Sequence, residues 1–188
     1  MGDSMSSMIL NGDTSGAITV TVPAVAGTNT VTIPAVTGTM MVSGNMPAFS
    51  AYMTNGSLNQ TTTSGVATKI KIDTKEFDTS TAYDATTNYR FTPQVAGYYQ
   101  INGQFKAAGS AITYANIYIY RNNSLWHEGT AFGFTQTAQS NCAVSSLMYL
   151  NGSTDFIELW GVVNAGTGCG FAYGQSSTYF GAVLVRAA

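Results

Sequence analysis

His127 is the only histidine in this 188-residue chain, so any catalytic dyad or triad of the serine-hydrolase kind would have to be built on it. The Gly-x-Ser-x-Gly elbow that presents such a serine is absent. Within Leu125-Trp126-His127-Glu128, His127 instead reads as a strand or loop residue. Asp73, Glu76, Asp78 and Asp84 lie close together and supply the oxygen ligands that Ca²⁺ takes, but without the regular spacing of a calcium loop. They read as solvated charge at the edge of a domain. Gly166-Thr167-Gly168-Cys169-Gly170 is glycine-rich like a phosphate cradle. It lacks the dinucleotide-binding spacing and has no helical pattern after it, so it reads as a hairpin tip. Cys142 and Cys169 are too few for a disulfide framework and read as buried free thiols. An Asp/Glu pair for glycan cleavage would need a groove that so short a chain hardly offers. No catalytic residue, cofactor motif or metal set emerges.

Binding chemistry is better represented. Trp126, His127, Phe132, Phe134, Phe171 and Tyr173 stand in or beside stretches rich in Gly, Gln, Thr and Asn. Aromatic faces next to amides and hydroxyls grip a sugar without using charge. Taken singly, each of these rings is better read as core or subunit-interface packing.

Charge is scarce. Only 9% of residues are Asp, Glu, Lys or Arg, and the net charge is −2, against about a quarter charged in ordinary domains. Nothing here draws the chain to nucleic acid or to an anionic membrane, and no run reaches the roughly 18 apolar residues of a spanning helix. From Met1 to Thr68 the only charges are Asp3 and Asp13, and the first basic residue is Lys69. A secretory leader, with its basic start and apolar run, is therefore not expected.

The elements that must position these residues are strands. Thr19–Gly27 (TVTVPAVAG) is nearly repeated at Thr30–Gly38 (TVTIPAVTG). Val20 and Val22, then Val31 and Ile33, alternate with threonine at the period of a half-buried strand. Pro23 and Pro34 end the pairing, and Gly27 and Gly38 permit a corner. Two units this short cannot bury their own apolar face, so other copies of the chain are expected to supply the missing partners; edge strands of a larger sandwich are the alternative. Seven of the eight methionines lie at or before Met53 and suit an irregular seam between chains.

From Met46 onward, short strand-like runs alternate with turn signals and no helical period is found. Strands are expected at 48–53, 69–72, 91–93, 98–106, 113–120, 125–128, 141–150, 155–163 and 178–185. Turns are expected at Arg121–Ser124 and Asn151–Ser153. Ile117 and Ile119 point one way with Tyr118 and Tyr120 the other. Ile157 and Leu159 oppose Phe156 and Trp160 in the same manner. An aromatic second face predicts contact with another subunit through Tyr118, Tyr120 and Trp160. The fold class expected is all-β, a sandwich or jelly roll.

The stretch Ile72–Ile101 resembles the signature of the C1q-like head, a jelly roll related to tumour necrosis factor. Ile72 stands in its first aromatic position, Asp78 in its Asn/Asp position and Tyr83 in its second aromatic position; Phe91, Gly97 and Tyr99 match the later ones. One residue is inserted between Tyr83 and Phe91, Ile101 replaces a Phe, and Gly103 departs from a final aromatic. The likeness runs from Ala48 to Val185 and implies a compact homotrimer that binds ligands through apical loops. No Gly-X-Y collagen stalk precedes it. The Thr-Val-Pro-Ala-Val phrase before such a head is similar to bacteriophage tail-fibre and appendage proteins, especially of marine phages. That implies an attachment segment (1–17) joining other virion proteins, a short β shaft (18–46), and a head (47–188) adsorbing to a glycan or protein of the host surface. The location implied is the virion, after synthesis in the host cytoplasm. A capsid decoration or head fibre is the first alternative, and a secreted bacterial C1q-like adhesin or lectin the second.

Overall fold

The computed structural model describes residues 7–25, 27–32, 35, 37, 40–42, 44, 46–54, 60–133 and 140–188. Ile33 and Phe134 lie outside them. The chain divides into two units, Met1–Gly38 and Thr39–Ala188.

The first unit holds one hairpin, β1 (Ser7–Asn11) antiparallel to β2 (Ala17–Thr21). Met8 faces Val20 and Leu10 faces Ile18 in register. Those four side chains therefore share one face, and all are exposed. The first copy of the repeat thus pairs with the residues before it, across the expected 17/18 boundary. In the second copy, residues 30–32 form no strand. Val22 and Val31 are exposed, Val31 at 89%.

The second unit is a two-sheet sandwich. One sheet contains β7 (Tyr83–Asp84), β8 (Arg90–Phe91), β13 (Ile157–Asn164), β10 (Tyr114–Arg121) and β11 (Ser124–Phe132), in that order, with β5 (Thr68–Lys69) pairing on β13. The other is ordered β6 (Thr74–Asp78), β3 (Ala48–Tyr52), β15 (Tyr179–Ala187), β9 (Gly97–Ser110), with β12 (Asn141–Leu150) on the far edge of β9. Beyond β15, the second half of β9 pairs with β14 (Thr167–Phe171), which pairs with β4 (Gln60–Thr61). β12 shows the governing pattern most plainly, its residues alternating exposed and buried along all ten positions.

The signature residues are structural, and each has a physical reason. Phe49 and Phe180 from one sheet meet Tyr83 and Phe91 from the other. Phe49 stacks on both Tyr83 and Phe91 at 4.6 Å between ring centres, and Phe91 meets Tyr99 edge-on at 5.7 Å. The Tyr83 hydroxyl donates to the Ile72 carbonyl at 2.9 Å, so its one polar group is satisfied inside the core. Asp78 accepts from the amides of Ser80, Ala82 and Tyr83, closing the turn into β7. At Gly97 a Cβ would strike the Arg186 carbonyl oxygen and the Leu184 side chain, so β9 and β15 approach this closely only because there is none.

The outer face of the first sheet carries the three aromatic residues expected at a subunit contact. Tyr118, Tyr120 and Trp160 are half-buried within the chain rather than bare. Tyr120 stacks on Trp160 at 4.5 Å, and the Trp160 indole N–H donates to Glu158 at 2.9 Å. Lys69 donates to the other Glu158 oxygen at 2.5 Å. Glu158 is 1% exposed, and Lys69 is its only ion-pair partner among the described residues. Lys69→Met should therefore lower stability by about 2–3 kcal/mol, somewhat below the usual cost of orphaning a buried charge because Lys69 is partly solvated. Lys69→Met combined with Glu158→Gln should recover much of that loss. Denaturant titration of the single and double variants checks both.

A contiguous run of exposed apolar side chains lies on the other sheet. In register, Leu147, Gln100 and Val183 form one row across β12, β9 and β15, and Tyr149 and Tyr98 form the next. With Val185 they make an exposed patch, Leu147 at 56% and Val185 at 57%. Further along the same face Gln100 donates to Ser145, which donates to Asn102.

Candidate functional site

The strands carry the candidate rings to different places. β3 begins just after Pro47, and the carbonyl of Pro47 accepts from Leu184. At this end lie the Asn122-Asn123 turn, the 151–155 loop and the start of β9, tied together by Asn122 donating to Asp155 at 2.7 Å and by Gly152 packed onto Ala96. Both asparagines take positive φ, 51° and 64°, as their sequence signal implied. Trp126, two residues into β11, belongs to this end. Its ring is half-exposed, with the Arg121 guanidinium 4.9 Å from its centre. Arg121 in turn donates to Asp155 at 2.7 Å. Burial works against the ionised form of Asp155. Hydrogen bonds from Asn122, Asn151 and Arg121, with the Arg121 charge, outweigh it and hold the carboxyl below its ordinary range.

His127 is a latch between sheets. Its Nδ1 lies 2.5 Å from the Ser146 hydroxyl, which points inward from β12 and is buried. No carboxylate completes the pair among the described residues; Glu128, the neighbour on β11, accepts instead from Asn116. Phe171 belongs to the core and is fully buried, edge-on to Phe105 at 4.8 Å. A ligand at the surface cannot reach it. Tyr173 is exposed at the opposite end from Trp126, where β3 ends and Gly174 donates to the Met53 carbonyl. The rings expected to act together thus occupy two ends and the interior. Phe132 is half-buried against the core.

The four acidic residues near Asp78 do not converge. Asp73 accepts from Thr54, Glu76 from Ser50 and Gln175, Asp78 from its own turn, and Asp84 from residues 86–88. No cluster of three His, Cys, Asp or Glu fit for a metal occurs among the described residues. Gly166–Gly170, expected as a hairpin tip, instead has Thr167–Gly170 in strand β14, paired with β9, and only Gly166 in the turn. Both cysteines are free and buried; burial pushes the Cys142 thiol up to about 12.

The end carrying Tyr173 has a distinct composition. Stretches 62–67, 111–113, 165–166 and 172–178 contain no Asp, Glu, Lys or Arg. The first three are joined to one another or through flanking strand ends, and 172–178 closes on itself. Ser64 donates to Asn164 at 2.7 Å and accepts from the Ala165 amide, Ser110 and Thr167 hydroxyls meet at 2.7 Å, and Ser177 and Thr178 amides donate to the Gly174 carbonyl. Tyr173 and Tyr114 stand exposed beside this hydroxyl-rich surface. Sequence reasoning missed Tyr114 because it read as one more strand residue.

No protein-family model matches the sequence, and comparison with curated proteins gives no match. Solved structures do match. Murine APRIL superposes with a TM-score of 0.57 at 12% identity, covering 74% of this chain and 99% of its own. Eiger TNF from S. frugiperda gives 0.55 at 12% identity, covering 77% and 95%. The globular domain of a zebrafish complement 1qA protein gives 0.49 at 16% identity over 76% and 98%, too slight to argue from. The likeness shows the fold: Thr39–Ala188 is a jelly roll of the tumour-necrosis-factor type.

Proposed function

We propose that the protein is a structural component of a bacteriophage particle. In this reading it is a homotrimeric tail fibre or appendage, made in the host cytoplasm. Its head adsorbs to a glycan or protein on the host surface, and its N-terminal segment attaches it to other virion proteins. The observation that carries the assembly is the exposed patch of Tyr98, Leu147, Tyr149, Val183 and Val185 on an otherwise well-packed sandwich, since a monomer rarely leaves such a contiguous face in water. The hairpin of β1 and β2 supports it, because a lone two-stranded unit is marginal without a partner. The phage assignment rests on the Thr-Val-Pro-Ala-Val phrase that precedes the head.

Host contact is assigned to the hydroxyl-rich end with Tyr114 and Tyr173, where Glu76 accepts from Gln175 at the margin. Its loops are already held by their own hydrogen bonds, so little ordering is lost on binding. One weak site per chain would become a firm attachment through three sites on one surface, a gain of roughly 10²–10⁴-fold. Soluble protein should therefore slow phage adsorption to host cells. The Tyr114→Ala, Tyr173→Ala variant should lose that effect, while Trp126→Ala, at the other end, should keep it. Protein that neither binds cells nor slows adsorption would remove the receptor-binding role and leave a capsid decoration role in its place.

A further inference from the structure

We propose that a groove beside Arg90 is a separate binding site for a sugar residue bearing a single carboxylate. The groove, about 460 Å³ and open to solvent, is lined by Thr81, Asp84, Asn88, Arg90, Thr92 and Ser153 among others. The three ion pairs of the described residues involve Lys69, Lys75 and Arg121, so Arg90 has none. Its guanidinium is nonetheless held in place, with its carbon 4.3 Å from the centre of the Phe156 ring.

Asp84 stands opposite Arg90 in the β7–β8 register but does not engage it. Its two oxygens are spent on the Thr86, Thr87 and Asn88 amides, the Thr86 hydroxyl and the Asn88 side chain. Those bonds, led by the Thr87 amide, hold the acid ionised far below the usual carboxylate range. Thr81, on the groove, and Tyr89, next to Arg90, take positive φ, 55° and 50°, a conformation that costs energy outside glycine and concentrates at binding sites.

These features select the ligand class. A guanidinium fork without a partner fits a carboxylate in bidentate fashion. Thr81, Thr92 and Ser153 hydroxyls offer donors and acceptors for sugar hydroxyls, and Asn88, its amide nitrogen committed to Asp84, offers its amide oxygen. The charges of Arg90 and Asp84 sum to zero, which suits a monoanion and disfavours phosphate-rich ligands. The groove lies at the β7 edge of one sheet, whereas the exposed apolar patch belongs to the other.

The inference rests on reading the head as a surface-binding module. Its test is an NMR titration of the full chain with galacturonic acid trisaccharide and with the neutral galactose trisaccharide. The acidic sugar should bind at least about tenfold more tightly, shifting the amides of Thr92 and Ser153. Arg90→Gln should abolish that preference, and Arg90→Lys, a point charge without the fork, should keep only part of it. A melting curve equal to wild type confirms that each variant is folded. Equal affinity for the two sugars, no binding of the acidic one at about 10 mM, or an unchanged preference in Arg90→Gln would overturn the site. Adsorption is a separate readout. If Arg90→Gln loses the sugar preference but still slows adsorption, the groove stands and host contact belongs to the tyrosine end. If the groove binds while wild-type protein fails to slow adsorption, only the host-attachment reading falls.

Discussion

Replacing both Leu147 and Val183 with Asp is expected to convert the proposed three-chain particle into single 19.8 kDa chains. Both side chains are exposed within one chain, so the change costs the isolated head little. They occupy one row with Gln100 between them, at the middle of the apolar patch. An assembly seated there would have to bury two unpaired carboxylates per chain, at several kcal/mol each. Every 1.4 kcal/mol is a factor of ten, so association should weaken by about a thousandfold or more. Light scattering at micromolar concentration gives the mass, and far-ultraviolet circular dichroism confirms the strands. A wild-type chain that scatters as a folded monomer would refute the assembly outright.

Phe49→Ala should be the most damaging single truncation in the head. Phe49 touches rings from both sheets, stacking on Tyr83 and Phe91 and meeting Phe180 edge-on at 5.3 Å. Removing it leaves a cavity between strands whose positions are fixed by their ladders, so the loss should reach about 3–5 kcal/mol. Thermal unfolding should then begin roughly 10 °C or more lower at the same protein concentration. Phe49→Leu, which fills part of the space, should recover about half of the effect. A Phe49→Ala midpoint within about 2 °C of wild type would mean that the aromatic cluster is not what joins the sheets.

The sandwich was legible because its strands carry their own period. Asn141–Leu150 alternates without interruption, and the expected and observed limits of that strand coincide. β6 was missed for a local reason. Thr74–Asp78 is an edge strand rich in charge with Phe77 turned outward, so no apolar alternation marks it. β9 was read too short because Ala107 and Ala108 are buried by β14, a contact with residues some sixty positions away. The candidate site was less legible for a related reason. Which loops share an end depends on strand order, and strand order is made of long-range pairings that no local window contains. Trp126, Phe171 and Tyr173 look alike in sequence, yet one lies at each end and one inside. Arg90 left only a negative signal, a cation whose neighbours at 88 and 92 are not acidic.

The hydroxyl-rich loops beside Tyr114 and Tyr173 have a consequence for the water around them. Attraction between charged surfaces fades with ionic strength, over a Debye length of about 10 Å at 0.1 M and about 3 Å at 1 M. Contacts made by the Ser, Thr, Gln and Tyr side chains of these loops have no such attraction to lose. Adhesion through Tyr114 and Tyr173 would hold with nearly constant strength from dilute medium to brine, whereas binding through Arg90 would weaken as salt rises. Salt concentration would then select which end of the same head does the holding.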